Sequence, residues 1–103
     1  MKINYESRYA IGPNEAKVLD TKGLRENFLI EKLFSKDNLH VVYSHYDRYL
    51  TAGAMPVNEK VKLETIEPLL KEPFFLSRRE LGIINVGGDG RVEVDGELFE
   101  LAN

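Results

Sequence analysis

Asp95-Gly96, set between Arg91-Val92-Glu93-Val94 and Glu97-Leu98-Phe99-Glu100-Leu101, constrains this chain more than any other feature. Asp-Gly favours a two-residue type I′ turn, whose twist matches the flanking strands. That turn sets Val94 opposite Glu97, Val92 opposite Phe99 and Arg91 beside Glu100. Val92, Val94, Phe99 and Leu101 then share one face, and Arg91 and Glu100 form a cross-strand charge pair on the other. A hairpin over 91–101 is therefore predicted.

The rest of the chain is read outward from that hairpin. Leu81-Gly82-Ile83-Ile84-Asn85-Val86 reads as a buried strand, followed by a glycine reversal at Gly87-Gly88-Asp89-Gly90. Leu39 to His45 and Tyr49 to Ala52 are rich in β-formers and stop before Pro56. Lys60-Val61-Lys62-Leu63-Glu64 alternates, which predicts a strand with Val61 and Leu63 on one face. Asp20 to Phe28 predicts a short helix, capped by Asp20 or Thr21 and striped by Leu24 and Phe28. Ile66 to Lys71 predicts a helical turn closed before Pro73. Ile3 to Ala16 shows no period and is expected as an extended arm turning at Gly12-Pro13. Many short strands, few helices and glycine turns predict an all-β antiparallel sandwich or small barrel.

Composition removes several function classes. The 103 residues suffice for one domain with a core, and ten Phe and Tyr argue against disorder. The 14 basic residues are mixed with 17 acidic ones, so no basic block exists to track a phosphate backbone, and no nucleic-acid partner is expected. No apolar run approaches the roughly 18 residues of a membrane helix, and the first residues lack the apolar stretch of a secretory signal. The absence of cysteine excludes a disulfide framework and fits a cytoplasmic location.

Longer segments carry a family resemblance. Phe74-Phe75-Leu76-Ser77-Arg78-Arg79-Glu80-Leu81-Gly82-Ile83-Ile84-Asn85-Val86-Gly87-Gly88-Asp89-Gly90 resembles the 5-keto-4-deoxyuronate isomerase family. So do Val42-Tyr43-Ser44-His45-Tyr46-Asp47-Arg48, Ala52-Gly53-Ala54-Met55-Pro56 and Leu19-Asp20-Thr21-Lys22-Gly23-Leu24-Arg25. The similarity runs from about Ala16 to Leu101, with the motifs in family order. It implies the cupin-like, jelly-roll N-terminal portion of a zinc-binding two-cupin subunit that forms homo-oligomers. On this view residues 1–103 are a single, incomplete cupin-like domain. The implied reaction interconverts 5-dehydro-4-deoxy-D-glucuronate and 3-deoxy-D-glycero-2,5-hexodiulosonate during pectin breakdown. Family members are far longer, and their zinc ligands, several His and a Glu, lie in the second cupin. No residue here inherits a metal or catalytic role, and the chain alone is expected to bind no zinc and to be inactive.

Such an isomerisation moves a proton between adjacent carbons through an enediol, and needs a base and a positive centre. His40, His45 and Asp47 form the one grouping that resembles metal ligands. His45 and Asp47 share a face if one strand runs through both, whereas His40 falls on the opposite face by parity, short of the three or four ligands of a zinc site. The expected role of the histidine is a hydrogen bond at a strand end. Arg78, Arg79 and Arg48 are the candidate partners for the carboxylate of a sugar-acid substrate, because guanidinium pairs bidentately with carboxylate. Against that, Arg78 and Glu80 share a face and would neutralise one another. Tyr43, Tyr46 and Tyr49 recur at threes, a spacing that alternates faces along a strand and argues against a sugar-stacking platform. Gly87 to Gly90 lacks the following Lys-Ser/Thr and helix of a phosphate loop. Two further readings are a non-catalytic cupin module for oligomer assembly and a binding domain for acidic sugars.

Overall fold

The strand Asn38–Ser44 (β2) organises the first part of the chain, because consecutive Val41 and Val42 are both buried and face opposite sides. A strand that is apolar on both faces belongs in the interior of a sheet. In the computed structural model, which describes all 103 residues, Tyr49–Ala54 (β3) pairs with it antiparallel and Lys2–Arg8 (β1) pairs with it parallel. The parallel pair corrects two expectations. Residues 2–8 of the predicted arm form a strand, and the sheet is mixed rather than antiparallel. A parallel pair requires a crossover of a dozen or more residues. The stretch after Arg8 supplies it, carrying the short helix Pro13–Ala16 (α1) and the helix Thr21–Phe28 (α2).

Helix α2 is the one predicted from Asp20, whose Oδ1 accepts the Gly23 N–H at 2.8 Å. Its expected apolar stripe, Leu24 and Phe28, is largely exposed. The chain then crosses the face of the sheet that carries His40 and Gly53, which are register partners. Ser35 Oγ lies 2.8 Å from His40 Nε2, and Leu33 packs on Gly53, where a Cβ would strike the Leu33 carbonyl. Only glycine admits that approach.

Asp37 closes the next loop. Its backbone is left-handed at φ 59°, and its carboxylate accepts the N–H groups of Val57, Asn58 and Glu59. The Val57 N–H foremost, then those of Asn58 and Glu59, outweigh desolvation and bring the Asp37 carboxyl down to about 2. The Met1 amino group pairs with Glu59 at 2.5 Å, which raises the amine above its ordinary value.

Residues 60–64 form no strand, which corrects the alternation-based expectation. The pattern nevertheless reports burial, since Val61 and Leu63 are half-buried while Lys62 and Glu64 are exposed. Alternation selects a face; pairing requires a free neighbouring edge.

The chain groups into two compact units, Met1–Glu64 and Thr65–Asn103. In the second, the helical turn Glu67–Leu70 (α3) ends at Lys71 with φ 55°, and Ile66 and Phe75 are its buried apolar side chains. The hairpin forms in the predicted register from Gly90–Val94 (β4) and Glu97–Leu101 (β5), with Val92 on Phe99 and Arg91 on Glu100. Asp95 at φ 49° and Gly96 at φ 83° make the two left-handed positions of the type I′ turn. Residues 81–86, expected as a buried strand, pair with nothing and are mostly exposed. The reversal at residues 87–90 rests on Asn85 rather than on left-handed glycine. Asn85 Oδ1 accepts the Gly87 N–H, and Asn85 Nδ2 donates to the carbonyls of Gly88 and Leu101 at 2.9 and 3.0 Å.

Candidate functional site

The β1–β2–β3 sheet places Arg8, Ser44 and Tyr49 in one row across three strands, with Val42 and Thr51 in the next. These five share a face, because partners in register do. Asn27 and Phe28 at the end of α2, with Ile30, Tyr46 and Asp47, line an open cleft of about 390 Å³ over this face. A volume of that size suits a small organic ligand.

Arg8 is the chemically distinctive group. Its side chain is 17% exposed, one terminal nitrogen donates to the Leu29 carbonyl at 2.6 Å, and the other meets Glu6 at 3.2 Å. Its Nε–H is buried without a partner. A buried donor left unsatisfied costs about 1–3 kcal/mol. Ser44, Tyr49 and Thr51 hydroxyls and the Asn27 amide add neutral hydrogen-bonding groups to the lining.

The rim owes its shape to a reversal, residues 45–48, in which Asp47 and Arg48 are both left-handed at φ 57° and 54°. The strand therefore stops before His45, so His45 and Asp47 do not share a strand face as expected. The same reversal brings Tyr46 and Tyr49 to one cavity, which corrects the face-alternation argument made from their spacing. The Tyr46 hydroxyl accepts from the Ile11 N–H at 2.9 Å and donates to the Ile11 carbonyl at 3.0 Å, tying residue 11 to the rim.

His40 faces Ser35, and the His45 ring stacks on Tyr9 at 4.6 Å between centroids, with Tyr43 tilted at 4.9 Å. No group of three or more His, Cys, Asp or Glu side chains converges, so the zinc that the resemblance implies finds no ligand set among these residues.

The arginines named from the sequence belong to different units. Arg48 stands in the reversal of the first unit, and Arg78 and Arg79 belong to the second. Arg78 Nε pairs with Glu72 at 3.0 Å, not with Glu80 as parity suggested, and its side chain is largely exposed. Arg8 was missed in the sequence because the stretch around it shows no period. Its mark there was Glu6 two residues earlier, which is also the spacing of an ordinary strand-face ion pair. No helix is long and apolar enough to cross a membrane.

No family model matches the chain. Curated relatives match it over nearly its whole length. It is 56% identical over 101 residues to the 4-deoxy-L-threo-5-hexosulose-uronate ketol-isomerase of Bacteroides fragilis, a match covering 98% of this chain and 36% of the relative. The Formosa agariphila protein of that name is 52% identical over 101 residues, with the same coverage. The Oceanobacillus iheyensis one is 47% identical over 97 residues, covering 93% of this chain and 35% of the relative. The chain thus spans about a third of the length of these relatives. By sequence it matches the N-terminal portion of members of the 4-deoxy-L-threo-5-hexosulose-uronate ketol-isomerase family.

Proposed function

We propose that this chain is part of a ketol-isomerase acting on a deoxy-keto uronate in pectin and uronate breakdown. The supporting observation is the 56% identity over 98% of the chain to a relative of that name. Ketol isomerisation needs a base beside the carbon that loses its proton and a positive centre at the developing oxyanion. In this chain His40 and His45 are committed to Ser35 and to the tyrosine stack. On this reading the base and a zinc ion acting as Lewis acid would be supplied by the remaining part of the family polypeptide. The strand-rich portion described above would supply an incomplete cupin-like half to a cytoplasmic, homo-oligomeric enzyme. Arg48, Arg78 and Arg79 remain the candidate carboxylate partners in the assembled protein. The test is an isomerisation assay on the 103-residue chain and on the chain joined to the remainder of the Bacteroides fragilis relative. Zinc-dependent turnover only in the joined protein supports the reading. A zinc-loaded joined protein that leaves the substrate untouched overturns it.

A second reading, a binding module for acidic sugars, is favoured by the Arg8 side chain in the lining of the cleft. Amide chemical-shift changes at Ser44 and Thr51 on titration with glucuronate would support it, and unchanged spectra at millimolar ligand would remove it.

A further inference from the structure

An aspartate followed by glycine is open to attack by its own backbone, because the next residue carries no Cβ to shield its nitrogen. Asp89-Gly90 and Asp95-Gly96 are the two such pairs in this chain, and Asp20, Asp37 and Asp47 precede larger residues. The structure treats these carboxyl groups differently. Asp20 Oδ1 accepts the Gly23 N–H at 2.8 Å, and Asp37 accepts three N–H groups that keep it ionised. Asp89 Oδ1 accepts the Asn103 N–H at 3.3 Å, and Gly90 lies within β4 as the register partner of Leu101. Rotation between Asp89 and Gly90 is therefore opposed by the ladder. Asp95 stands instead at the exposed tip of the hairpin, and nothing lies within 4 Å of the place where a Cβ on Gly96 would stand.

We propose that Asp95-Gly96 is a modification site, at which the hairpin turn converts spontaneously to isoaspartate faster than any other aspartate of the folded chain. The ladder closes at the Val94–Glu97 pair, so the Gly96 N–H is a turn group outside it. Asp95 is left-handed at φ 49°, a region unfavourable for a residue with a Cβ, and a two-stranded ribbon is marginal in water. Both features favour opening of the tip, which lets the Gly96 nitrogen reach the side-chain carboxyl carbon, Cγ. The nitrogen gives up its proton and bonds to Cγ of the protonated carboxyl, the Cγ–OH bond breaks, and one water leaves. The product is a cyclic imide. Water then adds back at one of the two imide carbonyls. Breaking the new N–Cγ bond restores aspartate, whereas breaking the original peptide C–N bond routes the main chain through Cβ and Cγ. Nothing is oxidised or reduced, and the mass returns to its starting value. The extra backbone carbon no longer fits a two-residue type I′ turn, so the product should lose the Val94–Glu97 closure and loosen the Val92–Phe99 pair.

The test is prolonged warming of the 103-residue chain in native buffer and, in parallel, in concentrated urea. Isoaspartate at each site is read by electron-transfer fragmentation of peptides and by resistance to a protease that cuts before ordinary aspartate. In native buffer, isoaspartate at Asp95 should accumulate at least fivefold faster than at Asp89, and faster still than at Asp20, Asp37 or Asp47. In urea the two Asp-Gly sites should react at similar rates, since the dipeptides are the same and the ladder is gone. Asp95→Asn should keep the turn and close the same imide with loss of ammonia, at a rate above that of the wild type. Asp95→Glu should abolish conversion at this position, because the longer side chain needs a less favourable six-membered ring. The aged wild type should also show faster amide exchange at Val92 and Phe99, which Asp95→Glu should not. Equal native rates at Asp89 and Asp95 would overturn the proposal. So would a preference for Asp95 that persists unchanged in urea, which would assign the selectivity to flanking sequence and not to the turn.

Discussion

Asp37 Oδ1 accepts the Val57 N–H at 2.7 Å, so one left-handed residue before β2 ties down the loop that follows β3. The carboxyl lies at about 2 instead of 3.8. A depressed folded-state value means that the ionised form stabilises the fold, fully above pH 3.8 and decreasingly as pH falls towards 2. Acid titration of the wild type should therefore lose stability across that window, and Asp37→Asn should flatten the loss while lowering stability at pH 7. Denaturant midpoints at pH 7, 4 and 2.5 check both parts. The Met1 amine contributes in the other direction. Its value is raised above 8.0 by the Glu59 hydrogen bond and charge, so its contribution is complete below pH 8.0 and is lost above it.

Gly53→Ala should destabilise the first unit by roughly 1–3 kcal/mol, since its Cβ would meet the Leu33 carbonyl and lie 2.6 Å from Leu33 Cγ. Gly88→Ala meets nothing within 4 Å and serves as the control. Urea unfolding of both variants measures the difference. A midpoint for Gly53→Ala equal to wild type would mean that Leu33 does not cross the sheet there.

Val41→Ala should cost roughly 1–3 kcal/mol, because Val41 is 1% exposed at the centre of the mixed sheet. Ile84→Ala should leave the stability of the 103-residue chain within about 0.5 kcal/mol of wild type. Together these two variants separate the core of the first unit from the uncovered surface of the second. Denaturant midpoints followed by tyrosine fluorescence read both.

Arg8→Ala removes two hydrogen bonds and a charge, and should lower stability by about 1–2 kcal/mol. Arg8→Lys retains charge without the Nε–H donor. If the cavity binds a carboxylate, both variants should lose the glucuronate-induced shifts at Ser44 and Thr51, while only Arg8→Ala should unfold at markedly lower urea.

Local chemistry made several elements legible in the amino-acid order. The Asp95-Gly96 turn set the hairpin register, because a type I′ turn admits few pairings. Asp20 set the start of α2 because a carboxylate one turn ahead satisfies an orphan N–H. The family was legible too, since long segments between about Ala16 and Leu101 carry its residues in order. Other features depend on partners distant in sequence. Residues 2–8 became a strand because the open edge of β2 accepted them in parallel, although they show no period of their own. Residues 60–64 and 81–86 have strand-like composition and no ladder, because an apolar pattern selects a face and does not specify a pairing partner. Arg8, Tyr46 and Tyr49 share a cavity only because the reversal at 45–48 and the parallel β1 bring them together. What depended on one turn of chain was determined by the sequence itself. What depended on which edge was free, and what lay across the sheet, was decided by tertiary structure alone.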